Sequence, residues 1–150
     1  MKSRTRARSL ALQVLYEVDI ADHLPGTVLD ERLEEAREED QAGYDQDVVD
    51  FARQIIFGVY PLAQKLDEVI AEYAPEWPFD QISAIDRNIL RIATWEFFVS
   101  GKTPLKVAIN EAVELAKYFS SETTSRFVNG VLGSLADHQN IIAQQFKKGD

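Results

Sequence analysis

Apolar residues recur along this chain with helical spacing almost from end to end. Ala7, Ala11, Val14, Leu15 and Val18 fall at i, i+4, i+7, i+8 and i+11, a single stripe that predicts a first helix. Asp22 and the Pro25-Gly26 pair mark its end. Thr27, with Asp30 three residues on, is the expected cap of a second helix. That helix carries Val28, Leu29 and Leu33 and dissolves into the run from Glu34 to Gly43. Val48, Phe51, Ala52, Ile55, Ile56 and Val59 predict a third helix. It should kink or stop near Tyr60, because Pro61 cannot supply the i→i−4 donor. Leu62, Leu66, Val69, Ile70 and Tyr73 form the next stripe.

Pro75-Glu76-Trp77-Pro78 is the strongest break in the pattern, with two prolines in four residues. It is expected to join two halves of a single domain, about 1–74 and 79–146. Beyond it, Ile82, Ile85, Ile89, Ile92 and Ala93 make one face while Leu90, Phe97 and Phe98 add a second. A helix apolar on more than one side is a buried, central one. Ser100-Gly101 ends it, and Pro104 suits the first turn of the next helix, which carries Leu105, Ala108, Ile109, Ala112, Val113 and Ala116. Residues 120–124 are polar and rich in potential N-caps. Val128, Val131, Leu132 and Leu135 line the last predicted helix, which could continue through Ile141 and Ile142 towards Phe146. No run alternates with period two. The fold class predicted is all-α, with about seven helices.

A length of 150 residues suits one domain. The absence of cysteine excludes disulfides and thiolate metal sites. No apolar run reaches the ~18 residues of a membrane span. The first eight residues have no apolar signal segment, so a cytoplasmic protein is expected. The net charge of −9 repels nucleic acid on average, but its distribution is uneven. Lys2, Arg4, Arg6 and Arg8 place four cations and no acid in the first eight residues, whereas residues 17–50 hold thirteen acids against Arg32 and Arg37. Two surfaces with different partners are the natural reading.

Enzyme signatures are missing: there is no GxxxxGK[ST], GxGxxG, GxSxG or HExxH, and His23 and His138 are isolated. No catalytic, metal or cofactor-binding residue is therefore predicted, and the chain reads as non-enzymatic. The basic start can neutralise phosphates, since Arg4 and Arg8 share a helix face and the guanidinium fork suits phosphate oxygens. A solubilising terminus is the alternative. Single-stranded RNA recognition also needs rings on which unstacked bases can pile. Tyr16 and Phe127 are candidates, the latter beside Arg126 at the expected start of the last helix, where free N–H groups favour phosphate. On the residues alone a half-buried core tyrosine and a core phenylalanine are the preferred readings of these two rings. Asp86, with Ser83 as a cap three residues earlier, could accept from a base amine, but on the residues alone the reading preferred is an acid that complements a helix dipole. Gly130, inside a helical stripe at a propensity cost of roughly 1 kcal/mol, points to close approach of two helices. Asn110 is expected to bond a buried backbone group.

Three segments together carry a resemblance. They are Arg6-Ala7-Arg8 followed by Gln13-Val14-Leu15-Tyr16; Ile85-Asp86-Arg87-Asn88-Ile89-Leu90-Arg91-Ile92-Ala93 with Glu96; and Val107 to Lys117 followed by Phe127-Val128-Asn129-Gly130-Val131-Leu132. In order and spacing the chain resembles the NusB family of transcription antitermination factors from about residue 4 to residue 136. The strings AINEAVELAK and FVNGVL are the specific ones. The resemblance implies two packed three-helix halves plus an additional helix. It also implies binding to single-stranded boxA-type RNA of ribosomal RNA transcripts, jointly with NusE, a small-subunit ribosomal protein, in a complex on RNA polymerase that suppresses premature termination. Family RNA contacts carry over to Lys2, Arg4, Arg6, Arg8, Tyr16, Asp86, Arg126 and Phe127. Two positions depart from the pattern: Ser120 stands where glycine is common, and Asp86 where glutamate is frequent. NusB-like domains also resemble the N-terminal domain of ribosomal-RNA cytosine methyltransferases, but such an enzyme needs a further cofactor-binding domain, which 150 residues are not expected to hold. A homodimer is left open by these residues.

Overall fold

The computed structural model describes residues 2–39, 43–77 and 81–148. Among them every regular element is helical, and no helix is long and apolar enough to cross a membrane. The chain falls into two compact units, residues 1–61 and 62–150.

In the first unit α1 (Ser3–Ala21) packs against α2 (Pro25–Glu39) and α3 (Gln46–Val59). The predicted stripe of α1 is the buried one: Ala7, Ala11, Val14, Leu15 and Val18 are all in the core. α1 stops at Asp22, whose left-handed backbone (φ 56°) lets its amide close on the Val18 carbonyl. Aspartate is one of the few side chains that tolerate that conformation. α2 begins at Pro25 itself, so Thr27 lies inside the helix and the expected cap at that residue does not form. Proline is at home there, because its missing N–H falls where no intrahelical partner exists. α2 also outruns its apolar residues, continuing through the acidic segment to Glu39. Beyond Val28 and Leu29 it is a solvated face, tied to α1 through Arg32, which donates to Gln13 Oε1 at 3.0 Å and pairs with Glu17 at 3.5 Å. α3 ends at Val59 in a 3-10 turn over Tyr60–Leu62, the disruption that Pro61 requires.

The second unit holds α4 (Ala63–Tyr73), α5 (Ala84–Thr94), α6 (Leu105–Phe119), α7 (Glu122–Ala136) and α8 (Gln139–Lys148). α5 is central, touched by α4, α6 and α7, and buries Ile89, Leu90, Ile92 and Ala93. It continues as a π-helical turn over Trp95–Ser100, closed by the Gly101 amide on the Glu96 carbonyl at 3.1 Å. Gly101 adopts φ 69°, the conformation that ends the helix at minimal cost to glycine. The last predicted stripe is two helices, because the chain turns at Asp137-His138 before α8 starts. α8 is held by Lys65, which donates to the Gln145 carbonyl at 3.1 Å and lies over the Phe146 ring.

The division at Pro61-Leu62 departs from the expected one at the Pro75–Pro78 break, of which Pro78 lies outside the described residues. α4 packs on α5 and α7, and the segment after it is pinned to α7, where Ser134 donates to Glu76 Oε1 at 3.0 Å. Pro75 follows the end of α4, but the segment that carries it stays packed within the second unit.

A central helix must satisfy each polar group it buries. Asn88 Nδ2 donates to the Ala84 carbonyl at 2.8 Å and Thr94 Oγ1 to the Leu90 carbonyl at 2.7 Å. Thr103 Oγ1 donates to the buried Glu96 at 2.9 Å. Arg91 forms a fork on Asp67 of α4, at 2.7 Å from Nε and 2.6 Å from the terminal nitrogen. Truncating one partner of such a pair leaves the other charge poorly solvated, at about 3–5 kcal/mol when burial is complete. Asp67 retains some exposure to water, so Asp67→Ala should lower unfolding free energy by about 2–3 kcal/mol in urea denaturation. A loss under about 0.5 kcal/mol, the level of an exposed pair, would contradict this assignment.

Candidate functional site

The basic start is the first turns of α1, with exposed Lys2 as its N-cap residue. Helical spacing puts Arg4 and Arg8 on one face, and both lie over the ring of Phe51 in α3, at 4.0 Å and 5.2 Å from its centroid. Arg6 lies 4.4 Å from the Tyr44 ring centroid and donates to the Gly43 carbonyl at 3.4 Å. Arg4 is exposed and Arg6 half-buried, but Arg8 is only 4% exposed. Its guanidinium is therefore part of the α1–α3 packing, not a surface cation. A cleft lined by Ser3, Arg4, Asp47, Asp50, Phe51 and Gln54 opens beside this cluster. Tyr16, two turns further along α1, is half-buried.

Phe51 and Tyr44 carry no functional signal in the sequence. The first reads as one position of an apolar stripe, and the second sits in an acidic stretch without periodicity. Packing alone brings each ring beside arginines some forty residues away in the chain.

The other candidates lie in the second unit. Asp86 is in the first turn of α5 and only 4% exposed. Its amide donates to Ser83 Oγ at 3.1 Å, and the Ser83 hydroxyl donates back to Oδ2 at 3.0 Å. Oδ1 is buried with no hydrogen-bond partner. Loss of solvation pushes the carboxyl above its ordinary value, partly opposed by the serine hydrogen bond. The expected cap at Ser83 is present, and the carboxylate is occupied with starting the helix instead of facing solvent.

Arg126 is exposed and Phe127 half-buried. α7 starts at Glu122 on a capping box between Ser121 and Thr124, and the Ser125 amide already bonds the Ser121 carbonyl. Arg126-Phe127 is thus in the second turn, past the unpaired amides that a phosphate would use. Phe127 meets Trp77 edge to face, with centroids 6.5 Å apart. The same indole explains Gly130: a Cβ there would lie 2.8 Å from the Trp77 ring. What approaches closely is an indole from the segment after α4, not a second helix. Asn110 is exposed and bonds no buried backbone group among the described residues. Among these residues, too, no cluster of His, Cys, Asp or Glu could hold a metal ion.

Known proteins resemble this chain in sequence and in fold. The sequence model of the NusB family matches residues 5–137. The transcription antitermination protein NusB of Roseiflexus sp. (strain RS-1) is 47% identical over 134 residues, covering 88% of this chain and 90% of the relative. T. maritima NusB is similar in structure with a TM-score of 0.76 at 32% identity, covering 89% of this chain and 90% of its own. A crystal structure of antitermination factors NusB and NusE in complex with dsRNA contains a chain similar at a TM-score of 0.80 and 25% identity, covering 92% of this chain and 98% of its own.

Two outcomes follow from this geometry. Replacing Gly130 by alanine should cost about 1 kcal/mol, overpacking against Trp77 outweighing a propensity gain of about 1 kcal/mol. In a Trp77→Ala background the same change should instead stabilise, as chemical denaturation of the four proteins would show. Equal effects in both backgrounds would remove the indole as the reason for the glycine. For Asp86 the folded carboxyl binds its proton more tightly than the unfolded one, so stability is lost as pH rises from about 4 through the raised folded value. Asp86→Asn lacks this penalty, and its advantage over the native protein should be larger at about pH 7.5 than at about pH 4.5 in urea unfolding. A gap that stays constant or narrows with pH would contradict the raised value.

Proposed function

The chain belongs to the NusB family, and on that premise we propose that it is a non-enzymatic transcription antitermination factor. It binds single-stranded boxA-type RNA of ribosomal RNA transcripts jointly with NusE. The bound pair then joins the antitermination complex on RNA polymerase. The observation that carries this reading is its likeness, over 92% of its length, to the NusB chain solved with NusE and dsRNA. The work of such a protein is positioning. Basic side chains neutralise phosphates, aromatic rings stack unpaired bases, and a partner protein fixes the register.

Of the candidate cations, Lys2, Arg4 and Arg126 are exposed and Arg6 half-buried, and we assign these four to phosphates. Tyr16 and Phe127, each half-buried, present a ring edge or face to bases. Arg8 and Asp86 take supporting parts in this reading: Arg8 beneath the arm on Phe51, Asp86 at the start of α5. Thirteen acids against two arginines in residues 17–50 complement a basic protein partner.

The test is fluorescence anisotropy of a short boxA-type RNA titrated with the protein, with and without NusE, at two salt concentrations, against a duplex competitor. Sequence-specific binding that tightens with NusE is expected. Replacing Arg4, Arg6 and Arg8 together by alanine should weaken binding and reduce the salt slope by about one for each phosphate no longer neutralised. Absence of sequence preference with NusE present would reject the boxA assignment, and an unchanged slope would reject the role of the basic start.

A further inference from the structure

We propose that Phe51 and Tyr44 are positioning residues for RNA binding, holding Arg4 and Arg6 of α1 in place through their rings while leaving the arginine charge intact. The inference rests on the phosphate-binding reading of the basic start and concerns how an arm so rich in like charge is kept ready for use.

Four cations within eight residues repel one another, and the long arginine side chains lose much rotamer freedom when they are fixed on a ligand. A protein can order a guanidinium with a carboxylate or with an aromatic face. The carboxylate cancels the charge that a phosphate would need. The ring attracts the cation through its quadrupole and packs against its plane, yet carries no net charge. Among the described residues, the partners of Arg4 and Arg6 are of the second kind: Phe51 at 4.0 Å, Tyr44 at 4.4 Å, and the neutral Gly43 carbonyl at 3.4 Å. Arg8 approaches Phe51 as well, at 5.2 Å, so one ring serves both members of an i, i+4 pair. Both rings are left half-buried on this surface instead of fully in the core. Asp47 and Asp50 line the same cleft, yet the Arg4 guanidinium carbon lies over the ring.

A residue that acts by positioning should alter affinity without altering the number of charges engaged. Phe51→Leu should weaken boxA-type RNA binding about three- to tenfold while the slope of log affinity against log salt stays at the native value. Phe51→Tyr, which keeps the ring, should restore native affinity. Tyr44→Leu, acting through Arg6 alone, should cost about two- to threefold. In an Arg4→Ala background the effect of Phe51→Leu should shrink, since the exposed arginine it holds is gone. Circular dichroism at the binding temperature checks that each variant is folded. The free protein supplies a second readout: NMR signals of the Arg4 and Arg6 guanidinium groups should show ring-current displacement that disappears in Phe51→Leu and Tyr44→Leu respectively.

Native affinity in both leucine variants would overturn the proposal, as would a Phe51→Leu loss that persists undiminished in the Arg4→Ala background. Absence of ring-current displacement in the native protein would do the same. If instead the native chain fails to bind the RNA, or the triple arginine variant keeps the native slope, the phosphate-binding reading itself falls. Intact ring currents in that case would reduce the ring–arginine pairs to packing alone and overturn the positioning role.

Discussion

A helix enclosed by its neighbours has to find an internal partner for every polar group it carries, and the second unit is organised around that demand on α5. Arg91 satisfies it by a fork on Asp67, which fastens α4 to α5 at the level where both are packed. Asn88 and Thr94 satisfy it within the helix, on the carbonyls four residues earlier. Glu96 does so in the π turn that follows, where it meets Thr103. Asp86 is the exception, with one carboxylate oxygen unpartnered in a buried place. The fork ties α4 to α5 within the second unit.

In the first unit the governing constraint is charge. The protein carries a net −9, and its cationic segment would be neutralised by any of many acids if it were held by ion pairs. Placing Arg4 on Phe51 and Arg6 on Tyr44 orders these two side chains while leaving their charge intact. The arrangement uses α1 twice. Its apolar stripe packs on α3, and the face carrying Arg4 and Arg8 meets the first turns of α3.

Much of the helical order is legible in the residues. The stripes of α1, α3, α4 and α6 give boundaries close to those observed, because period 3.6 is a local property that packing seldom overrides over three turns or more. Ser83 and the polar segment before α7 are legible as caps for the same reason. The errors cluster where local chemistry is ambiguous. Thr27 is a competent cap in isolation, but Pro25 makes a better first residue, and the helix starts there. The acidic run after Leu33 has no apolar periodicity, yet the helix extends through it, because glutamate, alanine and arginine are strong helix formers without any burial. The final stripe reads as one helix because a two-residue turn between α7 and α8 leaves little mark on periodicity.

The candidate site is legible as a set of residue types and illegible as an arrangement. Composition alone singles out the arginine-rich start, and the motif order singles out Tyr16, Asp86 and Phe127. Whether a side chain reaches solvent depends on what is packed over it, and that partner is usually tens of residues away. Arg8 and Asp86 are each 4% exposed, although charged residues of their kind ordinarily stay in water. Gly130 signals a close approach, while the identity of the approaching group, Trp77 from the far side of α5 and α6 in the chain, is a matter of tertiary packing. Most of the helical pattern, the division of charge and the family resemblance are settled by the residues alone, since all three are written in local spacing and residue identity. Only the tertiary structure decided which cations remain on the surface and which rings hold them, because burial is set by contacts across the fold that no periodicity encodes.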